Sequence, residues 1–481
     1  MLATLGAYIF VCIFTLAATT QQLRVLLSTQ NAVLQHLFAT VLLALISVTS
    51  VAQTPARKPV TDMFLSVLTG EPNEQLNALA RIEKQWQPEF APMTFETMAL
   101  MRNRVGQGKL LELLRSHSGE QYGFDLRAWM QWIWRQDLPL HPEYPEFKSA
   151  LYGLIDPRFK GYFGHDRVAN IRLAEVVWGG VVQDGIPPLR RPEMIPASAA
   201  EYLADSDVVF GLELNGDARA YPKRILAWHE MFVDTVGGDA VAGVYCTLCG
   251  AMIGYYTNHA GVTHALGTSG FLYRSNKLMY DKATQSLWST MRGVPVIGPL
   301  VDQGIELKRF AVVTSTWGEW RQRHPQTQVL SIESGHKRDY AEGAAYRNYF
   351  ATDELMFPVP QPDARLQNKA EVFGVLLHDA GAVAMSAEFL ARHPVYHDRI
   401  GTTSVVVLTD KSGANRAYAS ADIVFSSIDS DASVIAKDGS RWLQAEDALS
   451  NEDGRKLARI PAHRAFWFGW HAAFPNTRLV Q

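Results

Sequence analysis

The sequence predicts a multidomain α+β protein: a helical N-terminal domain followed by a β-rich body built from two divergent repeats. Three observations carry that prediction. Between Thr54 and Phe159 apolar residues recur three or four apart, as in Leu76, Leu79, Ile82 and Trp86, which places them on one helix face. Beyond Glu201 the pattern becomes short runs of β-branched and aromatic residues separated by turn signals such as Asn215-Gly216. An ordered set of residues in the first part of that body then returns in the second.

The segments follow in order. Residues 1–53 hold two apolar stretches. Met1 to Thr20 carries no charge, and the second run, from Leu37, ends in Ser50-Val51-Ala52, small residues suited to signal peptidase. They read as a signal peptide or a membrane-anchor region. Either sends the body to the periplasm or cell envelope, with any membrane contact, including an inner-membrane anchor, made through this segment alone. Residues 54–184 read as helical. Leu110, Leu111, Leu113 and Leu114 repeat the apolar face, as do Trp129, Trp132 and Ile133, and ordinary core packing explains these tryptophans. Residues 185–200 hold four prolines, which neither continue a helix nor donate to a sheet ladder, and they form an extended connector.

The β-rich repeats occupy 201–335 and 372–481, joined by a connector at 336–371. Val209-Phe-Gly-Leu212 returns as Val372-Phe-Gly-Val375, and Ala227-Trp-His229 with Asp234 and Gly237 returns as Ala391-Arg-His393 with Asp398 and Gly401. Ser286-Leu-Trp288 returns as Ser440-Arg-Trp442, and Trp317-x-x-Trp320 with Pro325 and Thr327 returns as Trp467-x-x-Trp470 with Pro475 and Thr477. Chance matching does not readily keep tryptophan pairs in register and in order.

A chain of 481 residues with 47% hydrophobic content and 12 tryptophans has material for several cores. A net charge of −3 gives no basic field, so nucleic acid is not an expected partner. No Gly-rich phosphate loop followed by Lys-Ser/Thr occurs, so no nucleotide cofactor is expected, and no Gly-x-Ser-x-Gly elbow occurs.

The chemistry concentrates at Cys246 and Cys249. The only other cysteine is Cys12, in the N-terminal stretch. The second repeat has no cysteine and reads Val407-Leu-Thr-Asp410 at the matching place, so the scaffold does not need thiols there. A thioredoxin-like dithiol wants a helix after the first cysteine, whereas Gly250-Ala-Met-Ile-Gly254 reads as strand. A closed structural zinc site wants four strong ligands, and a single Cys-x-x-Cys supplies two. An open metal site or redox pair is the preferred reading. A chain reversal at Gly237-Gly238 would bring His229 to the thiols, making Cys246, Cys249 and His229 three ligands for a transition metal (Zn, Cu or Fe). Against this, His393 matches His229 in the repeat without thiols. Glu230 is a fourth ligand or proton-transfer group, and His264 is a second imidazole candidate.

At these residues the chain resembles the bacterial family called domain of unknown function 3179, from about residue 184 to the C-terminus. The matching features are Ala220-Tyr-Pro222, Trp228-His229-Glu230, Tyr245-Cys246-Thr-Leu-Cys249-Gly250, Ser269 to Asn276, Tyr280-Asp281 and Ser286-Leu-Trp288. The family loop usually reads Cys-Pro-Leu-Cys, and Thr247 stands here in place of the proline. The resemblance implies where the site is and assigns no reaction. The same segment supplies Asp281 as a second proton-transfer candidate, read equally well as an ordinary turn residue. Tyr273, Asn276 and Trp288, with His264, are pocket candidates, and Ala345 to Tyr349 is a candidate lid.

The expected function is therefore that of an exported protein with a Cys/Cys/His metal or redox site, read first as a metal-dependent oxidoreductase acting on an unknown small molecule. The alternatives are a non-catalytic metal-binding protein or envelope-protein partner, and a β scaffold whose cysteines form a structural disulfide.

Overall fold

The computed structural model describes residues 59–481, apart from 137, 379–380 and 430–431. The segment 1–53 read as signal peptide or anchor lies outside the described residues, and no helix among the described residues is long and apolar enough to cross a membrane.

Six α-helices open the described chain: Pro59–Thr69, Pro72–Lys84, Phe90–Leu100, Arg104–Ser118, Leu126–Arg135 and Tyr144–Gly153. Their boundaries follow local chemistry. Asn103 and Asp125 cap the fourth and fifth by accepting backbone N–H groups, and Gly119 ends the fourth at φ 79°. Most of the periodic residues face inward, with Ile82, Leu110, Leu114 and Trp129 fully or almost fully buried, but Leu76 is 48% exposed. Inside the helical layer Lys148 pairs with Glu96 at 2.9 Å and donates to the Val176 carbonyl at 2.8 Å. A buried ammonium needs such partners to offset its lost hydration.

The helical character does not extend to residue 184. Val176–Trp178 is a strand, paired antiparallel with Leu266–Tyr273 (Val176↔Tyr273). A Val-Val-Trp run favours the pleated sheet, and its partner lies some ninety residues away, beyond the reach of local periodicity. The proline-rich connector is extended and contributes two edge strands. Leu189–Arg190 runs parallel to Met231–Val236, and Met194–Pro196 runs antiparallel to Gln328–Leu330.

The rest is β-rich. Val208–Leu214 and Asp217–Pro222 form a hairpin whose turn residues Asn215 and Gly216 have φ of 51° and 83°, the left-handed pair that Asn-Gly supplies. On one side Val313–Thr316 pairs antiparallel with the first strand, and on the other Gln328–Leu330 runs parallel to the second. Later in the chain the hairpin of Glu371–Leu377 and Gly381–Ser386 is flanked by antiparallel Ala462–Phe466 and parallel Arg478–Val480. Each arrangement carries a Trp-x-x-Trp helix, Trp317–Arg323 and Trp467–Ala473. In each the second indole N–H donates to a threonine hydroxyl, Trp320 to Thr327 at 3.0 Å and Trp470 to Thr477 at 2.9 Å. In each the indole lies against a strand glycine, Gly211 or Gly374, where a Cβ would come within 2.2 or 2.0 Å of the ring.

A second kind of unit follows each hairpin. Met231–Val236, Asp239–Cys246 and Ala251–Tyr256 form an antiparallel meander, as do Val395–Ile400, Thr403–Thr409 and Asn415–Ala419. Val60 to Gln481 form one compact unit.

Candidate functional site

The cysteines lie where the meander turns. Asp239–Cys246 ends at Cys246, the chain reverses through Thr247 to Gly250, and Ala251 pairs back with Cys246. Gly250 takes φ 61°, which a glycine adopts without strain. Cys246 and Cys249 are joined as a disulfide with Cα atoms 5.2 Å apart. Both are buried, at 3% and 0% exposure.

Other parts of the fold hold this loop from outside. The Phe466 N–H donates to the Cys249 carbonyl at 2.7 Å, and the Tyr349 hydroxyl donates to the Leu248 carbonyl at 2.8 Å. Tyr349 belongs to the segment read as a lid, and it fastens the cysteine loop. Cys249 Sγ lies 3.4 Å from the Ser275 carbonyl oxygen. Ser275 in turn donates to the carbonyls of Phe357 and Pro358, at 2.9 and 2.7 Å.

Arg274 and Ser275 form a two-residue turn between Leu266–Tyr273 and Asn276–Asp281, and both have positive φ, 49° and 63°. Neither is glycine, so each costs about 1–2 kcal/mol in backbone strain. The following residue, Asn276, donates to the Gly469 carbonyl at 3.0 Å, while its Oδ1 is buried without a hydrogen-bond partner. Tyr245 Oη and Thr247 Oγ1, on either side of Cys246, are likewise buried and unpartnered among the described residues.

Glu230 follows the short helix Lys223–His229 and takes φ 54°, a helix-terminating position where glycine is usual. Its carboxylate pairs with Lys277 at 3.0 Å, and its carbonyl accepts from the Tyr245 N–H at 2.9 Å. Lys277 is buried, and desolvation lowers its pKa from the ordinary lysine value while Glu230 opposes that shift. Lys277 gave no signal in the sequence. It sits in the strand Asn276–Asp281, where a lone lysine ordinarily faces solvent.

His229 stands apart from the sulfurs' chemistry. Nδ1 is 2.9 Å from the Pro187 carbonyl and Nε2 is 2.6 Å from the Tyr340 hydroxyl, so both ring nitrogens are engaged. Burial lowers its pKa to about 4, with the nearby His336 adding in the same direction and the Pro187 carbonyl opposing. The expected set of Cys246, Cys249 and His229 is thus a disulfide and a hydrogen-bonded imidazole as the chain stands. Among the described residues no group of three or more His, Cys, Asp or Glu side chains is placed to hold a metal ion.

His264, Asp281 and Trp288 form a separate cluster. His264 Nδ1 lies 3.1 Å from Asp281 Oδ2, and the His264 ring packs edge-on to Trp288 with centroids 5.0 Å apart. Asp281 Oδ1 accepts the backbone N–H groups of Ala283 and Thr284, at 3.0 and 2.8 Å, which is the turn role. Asn276 and Asp281 begin and end one strand, so at about 3.4 Å per residue the two clusters are roughly 17 Å apart. Tyr273 pairs across to Val176, with the Arg274 guanidinium 5.1 Å from its ring centroid.

The counterpart loop of the later meander closes differently. Asp410 Oδ1 accepts from Ser412 N–H at 2.9 Å, Ser412 Oγ at 2.6 Å and Ala414 N–H at 3.0 Å. A carboxylate fastens there the turn that a disulfide spans in the earlier one.

The family model described as a protein of unknown function, DUF3179, matches residues 183–477, more than half of the chain. The chain belongs to the DUF3179 family. The DUF3179 region takes in both meanders, the disulfide and the Glu230–Lys277 pair, and it begins where the helical layer has ended. No curated protein and no solved structure matches the chain.

Proposed function

We propose that this DUF3179 protein is exported, that its β-rich body consists of two divergent repeats, and that Cys246 and Cys249 work as a dithiol–disulfide couple. The repeat reading is supported by a four-strand order that the two sheets share, each with its Trp–Thr and Trp–Gly contacts, although the first sheet carries the extra edge strand Met194–Pro196. Export is supported by the disulfide, which persists in oxidising compartments, and by the uncharged N-terminal run.

One observation carries the redox reading. Tyr245 Oη, Thr247 Oγ1 and Asn276 Oδ1 are buried without partners around one loop. Each unpartnered group costs about 1–3 kcal/mol, a cost that packing alone gives no reason to retain. In this reading a thiolate of an external dithiol attacks Sγ of Cys246, the less buried residue of the pair. The S–S bond breaks, and Cys249 leaves as a thiolate and takes up a proton. The second thiol of the reductant then displaces Cys246, which also takes up a proton, and the reductant departs as its own disulfide. Glu230, held by Lys277, is the proton-transfer group.

A second reading follows from Asp410: Cys246–Cys249 is the covalent equivalent of that carboxylate clamp and does not turn over. Equilibration of the full chain with dithiol redox buffers separates the two. A redox couple has a reduction potential above about −270 mV, whereas a value below about −300 mV identifies a staple.

A further inference from the structure

The Arg274–Ser275 turn faces two ways. Ser275 meets the disulfide, while Arg274 lines a cavity of about 450 Å³ on the far side. Trp134 and Arg135 from the helical layer also line it, with Arg172 and Glu175 from the segment leading into the sheet and His471 from the helix Trp467–Ala473. Three arginines and one glutamate therefore line the cavity, and that glutamate is fully buried.

Glu175 acts as a fixed post. Its Oε2 accepts from Arg274 Nε at 2.5 Å, and its Oε1 is 3.0 Å from Arg172 Nη1. Arg172 is further held by the carbonyls of Trp134 and Gln136, each at 3.1 Å. Both guanidinium groups are thus oriented before any ligand arrives, which lowers the entropy lost on binding. The left-handed backbone at Arg274 points the same way: a strained non-glycine residue is kept where a glycine would be relaxed. Trp134, Pro360 and Pro475 add apolar wall beside the arginines, and Gln361 and His471 add polar groups.

We propose that this cavity binds a small organic anion through a carboxylate or phosphate group held by Arg135, Arg172 and Arg274. The planar guanidinium fork matches either group with paired hydrogen bonds, and the apolar walls accommodate a short carbon skeleton. The site is independent of the thiol chemistry and stands whether or not the disulfide turns over.

Calorimetric titration of the full chain tests this, with inorganic phosphate and succinate in separate arms at one fixed ionic strength. Saturable binding is expected in at least one arm, and which arm responds identifies the group. Arg135 is exposed, so Arg135→Gln leaves the fold intact, and Arg274→Lys keeps the ion pair with Glu175 while removing the fork. Each is expected to weaken binding at least tenfold. No saturable binding in either arm, or binding that survives within twofold in either variant, overturns the proposal.

Discussion

Gly469 stands directly against Cys249: a Cβ at position 469 would lie 3.0 Å from the Cys249 Cβ and 3.4 Å from Asn276 Oδ1. The helix that carries Gly469 thus seats on the disulfide through the absence of a side chain. Gly469→Ala is expected to destabilise the oxidised protein by about 1–2 kcal/mol through overpacking, despite alanine's better helix propensity. The cost should shrink after reduction, when the loop is free to shift. Urea unfolding of both variants in both states measures that difference.

The same contact occurs in sharper form at Gly211 and Gly374, where a Cβ would come within 2.2 and 2.0 Å of Trp320 and Trp470. Gly211→Ala and Gly374→Ala should each cost about 3 kcal/mol, the upper end of overpacking, because indole rings locked by hydrogen bonds to Thr327 and Thr477 cannot swing aside. Thermal unfolding that leaves either variant within 0.5 kcal/mol of wild type (an order-of-magnitude margin for surface changes) would show that the indoles are not fixed.

Glu230 and Lys277 form a buried ion pair at 3.0 Å. Lys277→Met leaves a buried carboxylate unpaired and should cost about 3–5 kcal/mol, whereas Glu230→Gln with Lys277→Met should recover much of it. A double-mutant cycle with no coupling would show that the pair does not act as a unit.

His229 gives a pH signature. Its folded pKa is lowered to about 4 by burial, below the ordinary 6.5, so the folded state favours the neutral ring. The unfolded state binds more protons between these values, and the stability from His229 is complete above pH 6.5 and lost as pH falls toward 4. His229→Gln should flatten the fall in unfolding free energy across that window by up to about 1.4 kcal/mol per pH unit. Equal slopes in the two proteins would mean that the ring is not held neutral.

Much of the scaffold was legible in the chain. Asn215-Gly216 announced its hairpin through turn chemistry, and the leucine and tryptophan spacings announced the helical layer, because both signals are local. Val176–Trp178 was not, since its partner strand is ninety residues distant. At the site, Cys246 and Cys249 are joined, the Glu230 carbonyl bonds the backbone beside Cys246, and Asn276 follows the turn that meets Cys249. His229 was drawn toward the sulfurs by its proximity in sequence, yet Pro187 and Tyr340, residues with no periodic or motif signal, hold both its nitrogens. Asp281 and His264 lie at the other end of Asn276–Asp281, a separation set by strand length. Lys277 escaped notice because a lone lysine in a strand usually faces solvent.

The most direct test is to trap the freshly isolated protein in acid and count alkylated cysteines by mass spectrometry before and after reduction, with metal content measured on the same sample. Cys246 and Cys249 are expected to be unlabelled as isolated and fully labelled after reduction, with no stoichiometric metal. Two free thiols holding one equivalent of metal, lost in both Cys246→Ser and His229→Ala, would contradict the dithiol–disulfide couple and establish a three-ligand metal centre.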